Sequence, residues 1–224
     1  MLREILGEYL GEPAERLTFS YDEHGKPRFE RASGGPPLFF NASHSHDVAL
    51  YAIAPVDRVG IDVERVRAMA DLESIARRLF SHREQSALAG MQGNARTEAF
   101  FHCWTRKEAI VKAIGASLSL HLGSLDVPIA SDALPCLVRL PHTVSHIPDW
   151  SLHEVRPPAE YVGAVALPGD GWRVVSLPAH DAQQQPLPGR REQRLQHEVG
   201  DETRARADPE RAGRSRIDRE SRHT

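Results

Sequence analysis

The amino-acid sequence predicts an α+β protein built from small antiparallel sheets and helices. Apolar residues recur three or four apart in a short segment at 2–10 and in a long one at 97–114, which indicates two helices. Short apolar segments bounded by Pro and Gly are typical of strands and occupy much of the remaining chain. The segments do not alternate as regular strand–helix–strand units, so an α+β arrangement is favoured over a parallel α/β sheet.

The first third of the chain is predicted to contain one helix and three strands. Leu2, Ile5, Leu6 and Leu10 form one apolar helical face, and Gly11 ends that helix. The segments expected after it are, in order, a turn at 21–27, strands at 38–41 and 48–53 joined by the polar residues 43–47, and a strand at 59–66.

The second part of the chain is predicted to combine three helices with five strands. Ser81 and Glu84 have the spacing of a helix capping box, and Gly115 follows the long helix where a glycine commonly ends one. The expected segments are helices at 72–79, from 82 onward and at 97–114, and strands at 124–127, 136–140, 150–155, 161–167 and 172–175. Residues 181–224 carry almost no apolar residues and are expected to form a disordered tail.

Composition limits the classes of function. The chain has 224 residues, with 28 Lys and Arg, 31 Asp and Glu, and a formal charge of −3, which does not indicate a nucleic-acid partner. Its two cysteines, Cys103 and Cys136, give no disulfide framework, and no segment is long and apolar enough for a signal peptide or a membrane span. We therefore expect a cytoplasmic monomer without nucleic-acid or membrane partners.

Five residues point to a metal-assisted phosphate chemistry. Asp62 and Glu64 alternate along a predicted strand and so share one face. Trp104, Glu108 and Lys112 are spaced four apart and share one face of the long helix. If that strand packs on that helix, three carboxylates and an ammonium meet. Carboxylate oxygens suit Mg²⁺, and a lysine suits phosphate.

Simpler interpretations remain open for each of these residues. Asp62 and Glu64 alone are also typical of the solvated face of an edge strand. Glu108 alone is explained equally well by an ion pair with a neighbouring basic residue, namely Arg106, Lys107 or Lys112. Lys107 and Lys112 are candidate phosphate ligands, but most lysines on helices are solvated surface residues.

Two further segments are candidates for binding phosphate. Ser43, His44 and Ser45 follow an apolar strand, and sites are commonly built at strand ends. Small polar residues are also ordinary turn formers, so no role is required of them. A serine hydrolase is disfavoured because neither serine lies in a strand–elbow–helix context. Lys26, in a turn, is by itself an exposed charge.

Taken together, the motifs resemble those of the 4′-phosphopantetheinyl transferases of the surfactin-synthetase-activating type. The matching stretches are Gly25-Lys26-Pro27, Phe40-Asn41-Ala42-Ser43-His44-Ser45, Gly60-Ile61-Asp62-Val63-Glu64, Phe80-Ser81 with Glu84, and Trp104-Thr105-Arg106-Lys107-Glu108-Ala109 with Lys112. The resemblance covers residues 2–175. Each motif is weakly specific, whereas five in the same order are strongly specific.

The resemblance implies a Mg²⁺-dependent transferase that moves the 4′-phosphopantetheine group of coenzyme A to a serine of an apo carrier protein and releases 3′,5′-ADP. It also implies two similar halves, each a small antiparallel sheet packed on a long helix, with the active site in the cleft between them. The expected divisions are a first half at 1–66, a second half at 67–180 and the tail at 181–224. Family members usually carry further residues before the first helix, so the first half is expected to be shortened, with weaker coenzyme A binding.

The resemblance also implies roles for single residues. Asp62, Glu64 and Glu108 resemble the magnesium ligands, and Glu108 also resembles the residue that assists deprotonation of the carrier serine. Lys112 resembles a contact to the pyrophosphate and leaving group. Ser43 and His44 resemble pyrophosphate contacts, Lys26 resembles a contact to the 3′-phosphate, and Lys107 is a further candidate ligand of coenzyme A.

Two alternatives belong to other functional classes. A non-catalytic remnant that binds coenzyme A or a carrier protein without turnover is consistent with a shortened first half. Another magnesium-dependent phosphoryl enzyme, such as a phosphohydrolase or nuclease, would use the same carboxylates.

Overall fold

The structure is a computed structural model that describes residues 2–21, 27–30, 38–115, 122–130, 134–140, 146 and 149–177. Within these residues the chain forms helices and antiparallel strands, which confirms the α+β class. The helices are α1 (Leu2–Leu10), α2 (Leu72–Leu79), α3 (His82–Ala89) and α4 (Gly93–Ile114). The strands are β1 (Thr18–Tyr21), β2 (Pro27–Glu30), β3 (Phe39–Ser45), β4 (Val48–Ala54), β5 (Gly60–Arg65), β6 (Cys136–Arg139), β7 (Asp149–Val155) and β8 (Tyr161–Pro168).

The strands form three antiparallel sheets. The largest has the order β5-β8-β7-β6, with Asp62 of β5 opposite Ala164 of β8. Strands β3 and β4 form a hairpin, and β1 pairs with β2 in a second one. Strand β5 lies in the predicted first half (1–66), yet its backbone partner β8 comes from the predicted second half. The division into two halves stays a prediction.

The long helix α4 covers one face of the four-stranded sheet. The buried side chains at this interface include Phe100, Phe101 and Ile110 of the helix and Trp150 and Leu152 of β7. They exclude water from one continuous apolar core, which fixes the rotation of α4 about its axis. That rotation decides which polar residues of the helix remain outside the core.

Several predicted boundaries are corrected by the structure. Residues 124–127 and 172–175 are not strands, and the hairpin of β1 and β2 was not predicted. Helix α4 begins at Gly93, four residues before the predicted start, and ends as predicted at Gly115, whose φ is +78°. Residues 43–45 continue strand β3, so that only His46 and Asp47 form the turn before β4.

Some predictions fall outside the described residues. Most of the turn at 21–27, including Lys26, and the whole tail at 181–224 belong to this group. In the part of the chain that the structure describes, every helix is too short or too polar to span a membrane.

Candidate active site

Side chains of β3 hold the edge strand β5 in place. Alternate residues of β3 point toward β5, and their side-chain oxygens accept hydrogen bonds from alternate backbone N–H groups. The pairs are Ile61 N–H with Asn41 Oδ1 (2.9 Å), Val63 N–H with Ser43 Oγ (3.3 Å) and Arg65 N–H with Ser45 Oγ (3.2 Å). These bonds satisfy N–H groups that an edge strand otherwise leaves unpaired. They also place two serine hydroxyls beside the carboxylates of β5.

Asp62 forms a compact cluster with Ser43 and Lys112. The Ser43 hydroxyl donates to Oδ1 of Asp62 at 2.9 Å, and the Lys112 ammonium donates to the same oxygen at 2.7 Å. Lys112 also donates to Ser43 Oγ at 2.9 Å. The hydroxyl therefore uses its one proton on the carboxylate and its lone pairs on two donors, which is its full capacity.

The second carboxylate oxygen of Asp62 has a different environment from the first. Asp62 is only 5% exposed, and its Oδ2 is buried without a hydrogen-bond partner among the residues that the structure describes. Desolvation raises the pKa of the Asp62 carboxyl, and the attraction of Lys112 and the Ser43 hydrogen bond oppose this rise. The interpretation of Asp62 as part of a solvated strand face is therefore wrong.

Glu64 lies at the more exposed end of the same strand face. The Ser45 hydroxyl donates to its Oε2 at 2.9 Å, and the Arg67 guanidinium lies 3.5 Å from that oxygen. The Arg67 guanidinium also lies over the ring of Phe101 on α4, 5.4 Å from the centroid. Arg67 thus supplies positive charge at the rim of the site, between β5 and α4.

Glu108 and Lys112 come from one face of α4, as their spacing predicts. Glu108 is half-buried, and desolvation together with the nearby negative charge of Asp62 raises the pKa of its carboxyl. Glu64 adds to this rise, and Lys112 opposes it. The carboxylates of Asp62 and Glu64 on β5 thus lie close enough to Glu108 on α4 to act on its charge.

The carboxylates are ligands of the chemical type that binds a magnesium ion. Mg²⁺ takes hard oxygen ligands, and a buried Asp62 Oδ2 without a partner is an oxygen that a cation can satisfy. In the part of the chain that is described, no three acidic, His or Cys side chains already converge closely enough to hold a metal. The donor set therefore fits the ion, although the side chains do not form a finished coordination shell.

Lys107 lies elsewhere, although it was predicted to bind coenzyme A. Its side chain is 2% exposed, and its ammonium pairs with Glu84 at 2.8 Å and donates to the Leu122 carbonyl at 2.6 Å. Glu84 also accepts a hydrogen bond from the Val127 N–H at 2.8 Å, and it forms the predicted capping box with Ser81. Lys107 is a buried structural cation, and a role in coenzyme A binding gains no support here.

The two other predicted phosphate ligands have different outcomes. His44 is exposed and lies on the face of β3 opposite to Ser43, since successive strand residues alternate. Lys26 lies outside the described residues. Sequence reasoning missed the roles of Asn41 and Ser45 as partners of β5. Their signal was the period-two polar pattern that they share with Ser43.

Comparison with known proteins finds relatives in one enzyme superfamily. The 4′-phosphopantetheinyl transferase superfamily matches residues 58–166, which include both β5 and α4. The 4′-phosphopantetheinyl transferase HetI of a Nostoc species is 36% identical over 173 residues, which is 77% of this chain and 70% of that protein.

Two further relatives match over shorter stretches. The 4′-phosphopantetheinyl transferase psf-1 of Bacillus pumilus is 35% identical over 143 residues, which is 63% of this chain and 58% of that protein. The 4′-phosphopantetheinyl transferase AcpT of Salmonella typhi is 40% identical over 97 residues, which is 43% of this chain and 49% of that protein. On the identity and the extent of the HetI match, the chain belongs to the 4′-phosphopantetheinyl transferase superfamily.

Proposed function

We propose that the protein transfers the 4′-phosphopantetheine group of coenzyme A to a serine hydroxyl of an apo carrier protein. The observation that supports this most directly is the cluster of Asp62, Ser43 and Lys112 beside Glu108, in a chain of this family. It combines a buried carboxylate that has one unpartnered oxygen with an ammonium 2.7 Å from the other. Such a pairing of acidic and basic groups suits a bound cation together with a phosphate.

The reaction replaces a phosphoanhydride bond at phosphorus with a phosphoester bond. The serine oxygen forms a bond to the phosphorus that carries pantetheine, and the bond from that phosphorus to the bridging oxygen breaks. The bridging oxygen leaves with 3′,5′-ADP and takes the electron pair, while the serine loses its proton. Catalysis therefore needs a proton acceptor and a means to stabilise charge on the pyrophosphate.

Mg²⁺ held by Asp62, Glu64 and Glu108 would supply charge neutralisation on the pyrophosphate. Lys112 contributes a second positive charge, and as a mobile ammonium it can follow the developing charge on the leaving group. Its present partners, Asp62 and Ser43, hold it next to the carboxylates.

Glu108 is the residue that we assign to proton transfer. A carboxylate is a better base when its pKa is raised, and burial and Asp62 raise that of Glu108. Ser43 and His44 are assigned to the pyrophosphate and Lys26 to the 3′-phosphate, on the family motifs that contain them. Lys107 is left out because its ammonium is engaged with Glu84 inside the protein.

The direct test is a mass measurement on apo carrier proteins incubated with the protein, coenzyme A and Mg²⁺. A gain of one phosphopantetheine on a carrier is expected, and a chelator should prevent it. Glu108→Gln should lose the activity, whereas Glu98→Gln on the same helix should retain it, since the Glu98 side chain is 57% exposed. Binding of coenzyme A without a mass gain on any carrier would favour the non-catalytic alternative.

A further inference from the structure

Among the described residues, Ser45 contacts the predicted metal ligands through Glu64. Its hydroxyl donates to Oε2 of Glu64 at 2.9 Å and accepts the N–H of Arg65 at 3.2 Å, and the residue is 8% exposed. The ring of His46 lies 3.3 Å from the same hydroxyl. The carboxylate is the nearer and the charged acceptor, so it receives the hydroxyl proton.

The contact repeats the one that Ser43 makes two residues earlier. Ser43 accepts an N–H of β5 and donates to Asp62, and Ser45 accepts the next alternate N–H and donates to Glu64. The strand pair therefore carries one hydroxyl for each carboxylate, in the same register. Arg67 approaches the same Oε2 that Ser45 holds, so one oxygen of Glu64 is fixed from two sides.

A comparison with Asn41 distinguishes the two hydrogen bonds of Ser45, the one that holds strand β5 and the one that orients a carboxylate. Asn41 accepts the N–H of Ile61 at 2.9 Å from the same face of β3 and is likewise 8% exposed. The residue of β5 before Ile61 is Gly60, so the Asn41 position has no carboxylate to orient. A bond to the edge of β5 therefore does not by itself require a hydroxyl that also donates.

We infer that Ser45 is a positioning residue that fixes Oε2 of Glu64 and thereby sets the direction of the remaining oxygen for a divalent cation. The inference rests on the proposed function, which makes Glu64 a metal ligand. A carboxylate that must first be ordered binds a cation more weakly, because its ordering entropy is lost on binding. Groups that orient metal ligands typically contribute 10- to 100-fold in affinity.

The probe is Mn²⁺ added to the full chain without coenzyme A, with free Mn²⁺ measured by electron paramagnetic resonance. Ser45→Ala should raise the Mn²⁺ dissociation constant by about tenfold. Asn41→Ala is the matched control: it removes a β5 hydrogen bond of the same kind, so it should lower the melting temperature and leave the Mn²⁺ dissociation constant unchanged. Ser45→Thr keeps the hydroxyl and should restore the affinity.

Three outcomes decide the inference. Equal Mn²⁺ affinity for Ser45→Ala and the unmodified chain, when Asp62→Ala abolishes binding, would overturn the role of Ser45 and leave the proposed function intact. Equal losses of affinity for Ser45→Ala and Asn41→Ala would overturn it as well, because the effect would then be structural. Absence of any Mn²⁺ binding that depends on Asp62 would overturn the metal site and this inference together.

A second pair of variants covers the case in which Ser45→Ala does not fold. Ser45→Thr and Ser45→Val have nearly the same shape, and both β-branched side chains suit a strand. They differ in the hydroxyl alone, so weaker Mn²⁺ binding by Ser45→Val supports the inference and equal binding contradicts it.

Discussion

The Lys112 ammonium and the Asp62 carboxylate form an ion pair of 2.7 Å whose two members differ in exposure. The Asp62 side chain is 7% exposed, whereas that of Lys112 is 30% exposed. The pair joins α4 to β5, so the cation of one element compensates the buried charge of the other. The same ammonium is the group that we assign to the leaving phosphate, which links the stability of the site to its chemistry.

Lys112→Ala should reduce both transfer and stability. Loss of one charge-stabilising contact in the transition state should lower kcat by about 100-fold. Asp62 would keep a buried negative charge without this cation, which should cost about 1–3 kcal/mol of unfolding free energy at neutral pH. Steady-state kinetics and urea denaturation measure the two losses separately.

A double variant separates the two effects of Lys112. Lys112→Ala with Asp62→Asn removes both charges, so much of the stability should return while transfer remains lost. In Lys112→Ala alone, the stability deficit should shrink as the pH falls and Asp62 becomes protonated in the folded state. A deficit that is independent of pH would show that Lys112 stabilises the fold by packing rather than by its charge.

Glu108→Gln should inactivate the enzyme and yet stabilise the fold at neutral pH. The folded state raises the pKa of Glu108 above its ordinary value of 4.5, so ionisation favours the unfolded chain. This cost in unfolding free energy reaches its full size at pH values above the pKa of Glu108 in the folded state. It disappears at pH values below the ordinary pKa of 4.5. The melting temperature of Glu108→Gln should therefore exceed that of the unmodified protein at neutral pH, and the difference should vanish as the pH falls below 4.5.

Glu98→Gln provides the control for this pH dependence. Glu98 is on the same helix and its side chain is 57% exposed. Glu98→Gln should therefore differ from the unmodified protein in melting temperature by nearly the same small amount at every pH in this range. A Glu108→Gln variant that is less stable than the parent at neutral pH would contradict the assignment of Glu108 as a destabilised carboxylate.

The spacing of residues predicted much of the site because strand and helix periods are fixed by the backbone. Asp62 and Glu64 share one strand face, and Glu108 and Lys112 share one helix face, whatever else surrounds them. Lys107 could not be assigned in this way. It lies 100° around the helix from Glu108, and its burial depends on Glu84, a residue 23 positions earlier in the sequence.

The segments 124–127 and 172–175, which were predicted to be strands, contain buried or partly buried apolar side chains. In the described part of the chain, however, their backbones do not pair with a strand. Leu125 and Val127 are buried in the main core, yet residues 124–127 contain no strand. Trp172 and Val174 alternate and pack against the cluster that contains Val165, which produces the period-two pattern of a strand without backbone pairing. Apolar alternation reports which side chains are buried, whereas a strand also needs a neighbour to accept its hydrogen bonds.

Lys107→Ala should cost stability rather than coenzyme A affinity. It would leave the Glu84 carboxylate buried without its cation, and breaking such a buried pair typically costs about 3–5 kcal/mol. Urea denaturation should show the loss, and the folded fraction should keep its KM for coenzyme A. A higher KM with an unchanged unfolding free energy would instead restore Lys107 as a coenzyme A ligand.

Gly60→Ala should disrupt the site without changing any of its charged residues. A Cβ added at Gly60 would lie 2.0 Å from the Ala109 carbonyl oxygen and 2.4 Å from the Ala113 nitrogen, both on α4. The helix would have to move away from β5, since these atoms are backbone and cannot rotate aside. Overpacking of this kind typically costs about 1–3 kcal/mol.

The movement would also separate Asp62 and Glu64 on β5 from Glu108 and Lys112 on α4. Gly60→Ala should therefore lose transfer activity and Mn²⁺ affinity as well as thermal stability. Gly90→Ala is the matched control, because its added Cβ meets nothing closer than the Ala87 carbonyl oxygen at 3.6 Å and its φ of −77° suits alanine. Thermal melting and Mn²⁺ binding of the two variants should differ sharply. If Gly60→Ala kept the parent's Mn²⁺ affinity, close contact between β5 and α4 would not be what brings the carboxylates together.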